Sequence, residues 1–245
     1  AFKTFVLALL RLVREGLLER RHWLQVAPFL ARRLELALPT QQAWGQAYYR
    51  LGLGLYDALA GQRGIGHSRL LSGDMMRGAL PQLKPCQGGV AYSDGQSDDA
   101  RLNLLLALTA ERRGATLRTR CRVVDLERGS GGRLNAAVSE SASGLRERWC
   151  ASAIVNATGI GADAIRLLAD PSATPRMLTS RGSHIVLRQN LCPGGMGLLV
   201  PSTADGRVLF MLPFFGRTLV GTTDDACQED AATLPSAEDA SYLLN

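Results

Sequence analysis

The sequence predicts a mixed α/β (α+β mixed) protein, and three observations indicate this fold class. Apolar residues form 46% of the 245-residue chain and charged residues only 20%, a balance typical of a folded chain with a substantial core. Apolar side chains recur at helical spacing in the N-terminal part. After Pro171 and Pro175 the chain becomes a succession of short apolar runs, as expected for an antiparallel sheet.

The N-terminal third alternates predicted helices with one strand. Residues 3–36 carry leucine and valine at helical spacing, which predicts a helix broken near Pro28 that either packs on a domain or lies on a membrane surface. A second helix is predicted over 44–60, and SGDMMRGAL predicts a short helix that ends before Pro81. QGGVAYSDGQ is typical of a strand with a turn at either side.

The middle of the chain carries the clearest helix signal. Ser97 or Asp98 can cap a helix running from about Asp99 to Arg113, and Gly114 is a suitable C-terminal stop. Next, ATLRTRC and RVVDLER predict strands, and SGGRLNAAVSESASGLRER predicts a hairpin with a loose tip. WCASAIVNATG predicts a buried strand that leads into a glycine turn, and GADAIRLLAD predicts a short helix.

The C-terminal part is predicted to be a sheet. Its strand signals are LTSRGSHIVL, MGLLVPS, RVLFMLPF and RTLVGTTD, with FFGR as the turn of an antiparallel hairpin. The terminal SYLLN is typical of a helix. The chain therefore combines a central αβ pattern with an antiparallel sheet near its end.

Composition restricts the classes of partner. The net charge of +6 and the pI near 9.4 come mainly from scattered arginines, with Lys3 and Lys84 as the only lysines. No basic segment is interleaved with aromatic residues, which argues against nucleic acid and favours an anionic substrate or an anionic membrane surface. The cysteines lie far apart and form no C-x-x-C, so we expect neither disulfides nor zinc, and a reducing cytoplasm.

We expect no targeting or membrane-spanning segment from the sequence pattern. The apolar run Phe5–Leu10 is short and no small-residue cleavage site follows it, unlike a secretory signal. No apolar run reaches the ~18 residues that a transmembrane helix needs.

The turn Asn156–Gly159 is a candidate ligand site because it follows a predicted buried strand and precedes a predicted helix. Small residues there let backbone N–H groups approach a ligand, and a helix N-terminus favours an anionic group such as a pyrophosphate. A tight crossover that binds nothing explains the same residues. No G-x-G-x-x-G stands in a strand–helix context. Either the protein binds no dinucleotide, or the glycine-rich motif that binds it lies upstream.

Polar residues among the C-terminal strands are further candidates. His184 in SRGSHIVL is either a core histidine or a proton acceptor near neutral pH. Arg207 at the mouth of RVLFMLP is either a solvated edge charge or a grip for an anion. Thr222, between Gly221 and Asp224 in TLVGTTDD, suits either a hydrogen-bonded turn or a strand end that meets a cofactor.

Seven stretches resemble the FAD-dependent glycerol-3-phosphate dehydrogenase family, which belongs to the D-amino-acid-oxidase-like flavoproteins. In chain order they are RLVREGLLERRHWLQVAPFL, LGLYDALAG, GGVAYSDGQSDDARL, IVNATG, RGSHIVL, DGRVLFMLPFFGRTLVGTTDD and YLLN. Each stretch alone is weakly specific. Their shared order along nearly the whole chain makes the resemblance specific.

The resemblance implies two domains that alternate along the chain. Residues 1–30 would be a helical segment of a glutathione-reductase-like FAD-binding domain, and 96–172 its middle part. Residues 31–95 and 173–245 would form an antiparallel-sheet cap that binds substrate. It also implies that the glycine-rich flavin motif and the C-terminal part lie outside this chain, which would then be an inactive fragment.

The resemblance further implies flavin-dependent oxidation of sn-glycerol 3-phosphate to dihydroxyacetone phosphate, with electrons passed to a quinone. In that chemistry His184 would be the base or would orient the substrate hydroxyl, and Arg207 would bind the substrate phosphate with Arg181 and Thr222 nearby. The residues expected at FAD are Arg122, Val123, Ala157, Thr158 and Gly159. Peripheral contact with the inner face of the cytoplasmic membrane is expected, and a homodimer is left open.

Two departures and several alternatives accompany this resemblance. Ile160-Gly161 stands where the family commonly has Pro-Trp, and Lys3-Thr4 stands where relatives carry Arg-Tyr at the substrate pocket. The alternatives are a glycerol-3-phosphate oxidase, an amino-acid-oxidase-like enzyme whose Arg207 holds a carboxylate, and a non-catalytic domain without a bound cofactor.

Overall fold

The structure is a computed structural model, and it describes residues 2–61, 64–203, 205–227 and 234–244. The side chains of residues 2–9 and 43 lie outside the described part, and with them those of Lys3 and Thr4. The mixed α/β class predicted from the sequence is confirmed.

The described residues form six α-helices and twelve β-strands. The helices are α1 (Phe2–Val26), α2 (Ala43–Ala60), α3 (Gly73–Ala79), α4 (Asp99–Arg112), α5 (Ala162–Ala169) and α6 (Ala237–Leu244). The strands are β1 (Ala31–Thr40), β2 (Arg69–Ser72), β3 (Gly88–Ser97), β4 (Cys121–Arg128), β5 (Leu134–Ser141), β6 (Arg146–Cys150), β7 (Ser180–Arg181), β8 (His184–Leu187), β9 (Gly197–Val200), β10 (Leu209–Phe214), β11 (Arg217–Gly221) and β12 (Asp225–Ala226). The helices predicted at α2, α3, α4 and α5 are confirmed.

Two compact units divide these elements. The first takes in Ala1–Leu106, Gly182–Asp224 and Ser236–Asn245, and the second takes in Ala107–Arg181 and Asp225–Pro235. The chain therefore passes from one unit to the other several times. The assignment of residues 1–30 and 96–172 to a flavin domain, and of 31–95 and 173–245 to a cap, stays a prediction.

A seven-stranded sheet forms the first unit. Its order is β2-β3-β1-β9-β10-β11-β8, and all neighbours are antiparallel except β1 and β9, which are parallel. The edges of the sheet are β2 and β8. Phe215 (φ 48°) and Gly216 (φ 74°) join β10 to β11, as a two-residue hairpin turn with positive φ requires. The predicted FFGR hairpin is thus confirmed.

The helix predicted over 3–36 is right only as far as Val26, because the residues from Ala31 form β1, an interior strand of the sheet. The chain turns at Pro28, and residues 31–36 are the first part of a strand. Leu34, Leu36 and Leu38 alternate with period two and are buried on one face of the sheet. A leucine-rich run of this length fits a helix or a strand. It forms a strand because β3 and β9 supply partners for its backbone hydrogen bonds.

Apolar cores cover both faces of the sheet. On one face, aromatic and leucine side chains of α2 pack on the sheet; this core comprises Leu34, Leu36, Leu38, Tyr92, Tyr49, Leu53 and Tyr56. On the other face, residues of α3 and its following turn pack on the sheet; the buried members include Met76, Leu80, Ala37, Leu71, Ala91, Cys192 and Leu198. Burial on both faces explains why the strands are short apolar runs.

Arg20 ties α1 to the first core. Its Nη1 donates to the Tyr56 hydroxyl at 2.8 Å, the Ser93 carbonyl at 3.2 Å and Asp94 Oδ1 at 3.2 Å. The guanidinium also lies over the Tyr56 ring, with its Cζ 5.4 Å from the ring centroid. Burial raises the pKa of the Tyr56 hydroxyl, so Tyr56 stays a neutral partner for the cation.

The second unit contains an antiparallel three-stranded sheet with the order β4-β5-β6. The helix that precedes it, α4, is capped by Asp98, whose Oδ1 accepts from the Arg101 N–H at 3.1 Å, and it ends before Gly114 at φ 93°. Of the two predicted caps, the structure therefore selects Asp98. The loose-tipped hairpin is confirmed as β5 and β6.

Two predicted strands in this unit are wrong. ATLRTRC forms no strand of its own, because Arg120 adopts a positive φ of 57° and only Cys121 joins β4. The strand predicted in WCASAIVNATG stops at Cys150. The Ala151 N–H still donates to the Asn135 carbonyl of β5 at 2.9 Å, but residues 152–158 belong to none of the described strands, and Val155 is 85% exposed. Extended backbone needs a partner strand to become part of a sheet.

Among the described helices, none combines the length and apolar character needed to cross a membrane.

We expect Met76→Ala to destabilise the first unit. Met76 is fully buried in the α3 core, so its truncation leaves a cavity and should lower the free energy of unfolding by about 2–5 kcal/mol. Chemical denaturation measures this. Met75→Ala is the matched control, since the Met75 side chain is 49% exposed and its loss should change the free energy little. Equal effects of the two substitutions would contradict the core described here.

Candidate active site

His184 begins the edge strand β8 and is exposed. It pairs with Gly221 of β11, which in turn pairs with Phe210 near the start of β10. A Cβ added to Gly221 would lie 2.3 Å from His184 Cδ2 and 2.8 Å from Cγ. The imidazole therefore lies across a glycine, and only a residue without a side chain leaves room for it.

Thr222 lies beside His184 in the same unit. Its hydroxyl donates to the Thr223 carbonyl at 2.8 Å, and a Cβ added to Gly182 would lie 2.6 Å from this hydroxyl oxygen. A second glycine thus lets the segment before β8 approach the segment after β11. Thr222 directly follows Gly221, the strand partner of His184, and a role for either side chain at a substrate stays a prediction.

A buried hydrogen-bond network next to His184 is not predicted from the sequence. The Ser183 N–H donates to Thr223 Oγ1 at 2.9 Å, and the Ser183 hydroxyl donates to Asp239 Oδ2 at 2.8 Å. All three side chains are buried. The signal that could have found Asp239 is the S-x-x-D spacing of Ser236 and Asp239 at the start of α6.

Arg207 lies in the turn before β10, at the end of the sheet where His184 is found. Its Nε donates to Asp205 at 3.0 Å, and its Cζ lies 4.7 Å from the centroid of the Tyr242 ring. Hydrogen bonds from the Thr203 and Tyr242 hydroxyls, and the charge of Arg207, hold the pKa of Asp205 below its usual range. The guanidinium is thus oriented by an ionised carboxylate and an aromatic ring.

Arg181 belongs to the second unit. It forms β7 with Ser180, and β7 pairs with β12, which places Arg181 opposite Asp225. The side chain is half-buried.

The Asn156–Gly159 turn is held by its own side chains. Asn156 Nδ2 donates to the Ala162 carbonyl at 2.9 Å, and the Thr158 hydroxyl donates to Asn156 Oδ1 at 2.7 Å. Gly159 has a φ of 58°. Ala157, Thr158 and Gly159 are all exposed, and the Thr158 N–H donates to Asn156 Oδ1 at 3.4 Å.

Asp163 fixes the chain after α5 to the start of that helix. Its Oδ2 accepts from the backbone N–H of Met177 at 2.8 Å and of Arg176 at 2.7 Å, and these bonds lower the pKa of Asp163. The helix that follows the Asn156–Gly159 turn is therefore anchored independently of any ligand.

Arg122 and Val123 lie on β4 and point to different surroundings. Arg122 is exposed and lines an open depression of about 540 Å³ together with Arg120, Cys121 and Glu140. Val123 is not among the described residues that line it, and neither is any residue of the Asn156–Gly159 turn. No cluster of potential metal ligands occurs in the described part of the chain.

Comparison with known proteins identifies the family. A family model described as FAD dependent oxidoreductase matches residues 4–245. The chain belongs to the FAD-dependent oxidoreductase family. Mitochondrial glycerol-3-phosphate dehydrogenases are similar to it: the protein of Mesocricetus auratus is 38% identical and that of Homo sapiens 37%, each over 96% of the chain. The chain spans about a third of the length of these relatives, 33% in both.

Solved structures of other FAD-dependent oxidoreductases show the same fold. Glycerol-3-phosphate dehydrogenase from Bacillus halodurans, solved with FAD, has a TM-score of 0.69 at 21% identity over 96% of this chain and 42% of its own. L-α-glycerophosphate oxidase from Mycoplasma pneumoniae, also with FAD, has a TM-score of 0.73 at 17% identity over 95% of this chain and 62% of its own. Both likenesses concern the fold alone.

The residues of this FAD-dependent oxidoreductase chain fit the flavin cofactor at the Asn156–Gly159 turn. A Cβ built on Gly159 meets no atom within 4 Å, so the space beside the turn is open. The turn stands ahead of α5, and a helix N-terminus suits an anionic part of the cofactor.

We expect Gly221→Ala to displace the His184 ring. The added methyl would overlap the imidazole, so the ring must rotate or β8 must shift, at a cost of about 1–3 kcal/mol in stability. NMR of ¹³C-labelled histidine measures the ring resonances. Gly194→Ala is the control, because a Cβ there meets nothing within 4 Å. An unmoved His184 signal in Gly221→Ala would contradict the described packing.

Proposed function

We propose that this chain contributes the substrate-binding part, and some of the flavin-binding part, of an FAD-dependent glycerol-3-phosphate dehydrogenase. The main support is the identity of 37–38%, over 96% of the chain, to dehydrogenases of that name. The geometry supports it, since His184, a potential base, and Arg207, an oriented cation, lie at one end of the same sheet.

The proposed reaction oxidises C2 of sn-glycerol 3-phosphate to the ketone of dihydroxyacetone phosphate. The C2–H bond breaks with its electron pair, the C2 hydroxyl loses its proton, and a C=O bond forms. When bound, FAD supplies the acceptor for the hydride. His184 is the proposed base for the hydroxyl proton, because it is exposed and held over Gly221 by the backbone of two strands.

Arg207 is the proposed contact for the substrate phosphate. Asp205 accepts from its Nε, and a guanidinium has further N–H groups on its Nη atoms that can donate to phosphate oxygens. The Tyr242 ring and Asp205 limit its rotamers, so less side-chain entropy is lost on binding. Thr222 beside His184 is a proposed hydroxyl contact, and Arg181 stays a predicted further anion contact.

The residues proposed to hold FAD are Ala157, Thr158 and Gly159, through the backbone of their exposed turn, with Arg122 and Val123 of β4 toward the adenine end. The first three are supported by the open space beside Gly159. The pair on β4 rests on the family resemblance, since only Arg122 lines the depression on that strand. Within this proposal residues 1–30 and 96–172 belong to the flavin domain, and residues 31–95 and 173–245 form the cap.

His184→Ala and Arg207→Ala should affect different kinetic constants of the holoenzyme. Loss of the base should lower kcat about 10²–10⁴-fold with flavin binding retained, whereas loss of the phosphate contact should mainly raise KM for glycerol 3-phosphate. Steady-state assays with a soluble electron acceptor measure both. Arg50→Ala is a control, since that side chain bonds Ser68. Turnover of an amino acid but not of glycerol 3-phosphate would contradict the proposed substrate.

A membrane surface is the proposed location of the electron acceptor, a quinone. The support is an apolar stripe on α2, defined as Trp44, Tyr48, Leu51 and Leu55, which share one helix face and are all more than half exposed. The opposite face of α2 packs on the sheet. Apolar and aromatic side chains on one face suit a helix lying in a lipid interface, and the net charge of +6 favours anionic lipids.

Substitutions in the α2 stripe should weaken vesicle binding. Leu51→Gln with Leu55→Gln should lower affinity for phosphatidylcholine–phosphatidylglycerol vesicles about tenfold or more, because both side chains lose apolar transfer energy. Cosedimentation measures the affinity, and Trp44 emission reports insertion. Leu104→Gln with Leu108→Gln on α4 is the matched control, since those leucines are also exposed. Equal binding by both double variants would contradict the proposed surface.

A further inference from the structure

Asp239 is a buried carboxylate that the proposed chemistry does not use. Its side chain is only 3% exposed, although it lies on α6, more than fifty residues along the chain from β8. Its Oδ2 accepts from the Ser183 hydroxyl at 2.8 Å, and Ser183 immediately precedes His184. A buried carboxylate therefore contacts the residue next to the proposed base.

The carboxylate is itself fixed by the start of α6. The Ser236 N–H donates to Asp239 Oδ2 at 3.0 Å, and the Asp239 N–H donates to Ser236 Oγ at 3.0 Å, which is a reciprocal capping arrangement. Capping alone needs only these two bonds and an exposed acid serves it equally well. The bond to Ser183 is additional, and it places the carboxylate in the interior.

The other side of Ser183 is held by β11 and the turn after it. The Ser183 N–H donates to Thr223 Oγ1 at 2.9 Å, and its carbonyl accepts from the Thr223 N–H at 3.3 Å. Among the described strands β8 lies at an edge of the sheet, with β11 as its one neighbour. The Ser183 hydroxyl bond to Asp239 is thus a second, side-chain attachment of the point where β8 begins.

We infer that Asp239 is a positioning residue for His184 and acts through the Ser183 hydroxyl. The catalytic meaning of this inference rests on the proposed function, whereas the positioning itself does not. Ser183 and His184 are consecutive residues, so a rotation of the backbone at Ser183 changes the direction of the imidazole over Gly221.

The opposite edge of the sheet provides a matched comparison. Ser68, which precedes the edge strand β2, is also buried, and its hydroxyl donates to Asp57 Oδ2 at 2.7 Å while its N–H donates to the same oxygen at 2.8 Å. Both edges thus begin with a buried serine bonded to a helix aspartate. Ser68 and Asp57 adjoin His67, which has no proposed role. Substitutions of this pair therefore show the effect of lost stability alone, without an effect on the position of His184.

The test compares Ser183→Ala and Asp239→Asn with Ser68→Ala and Asp57→Asn. Histidine ring resonances are followed in ¹³C-histidine-labelled protein, whose three histidines are His22, His67 and His184. We expect the first pair to move the His184 signal and the second pair to move only that of His67. Ser183→Thr, which keeps the hydroxyl, should leave the His184 signal at its position in the unsubstituted protein.

Kinetics of the holoenzyme give the second readout. Ser183→Ala and Asp239→Asn should lower kcat about tenfold with KM changed less than about twofold, because the base is misdirected while the phosphate contact is intact. The Ser68 and Asp57 variants, at a similar melting temperature, should retain kcat. A His184 signal that stays in place in Ser183→Ala and Asp239→Asn would overturn the inference. A moved signal with unchanged kcat would support positioning and instead contradict the role proposed for His184.

Discussion

The parallel pairing of β1 with β9 is the interaction on which the first unit depends. It joins β1 to a hairpin 161 positions later in the chain, through Leu36 opposite Gly197 and Ala37 opposite Leu198. The pairing is possible because Gly197 has no side chain: a Cβ there would lie 2.8 Å from Leu36 Cδ2. With this contact made, β1 is buried on both faces and the cores over α2 and α3 share one sheet.

Close approach at glycine recurs at the candidate site, where it serves a different purpose. Gly221 lies beneath the His184 ring and Gly182 lies against Thr222, so polar side chains stand where two segments cross. Hydrogen bonds of Ser183, Thr223 and Asp239 occupy the interior behind them. The exposed side of β8 thus carries the candidate chemistry, and its buried side carries the supports that restrict it.

How far the sequence predicts the fold differs from element to element. The helices α2 and α4 and the β10–β11 hairpin follow from local signals: apolar period, the Asp98 cap, and a turn with glycine. The strand β1 does not, because its leucines fit either period until β3 and β9 offer backbone partners. The strand predicted over residues 152–158 is wrong for the opposite reason, because this apolar run pairs with none of the described strands.

The sequence by itself made His184, Arg207 and the Asn156–Gly159 turn the candidate residues, because each lies in a short stretch that carries the family resemblance. Only the tertiary structure decided how they are held: Gly221 under the imidazole, Tyr242 under Arg207, and Asp239 behind Ser183. These partners lie 35 to 56 positions apart. Local preferences carry no information across such separations, and burial together with hydrogen-bond satisfaction selects them.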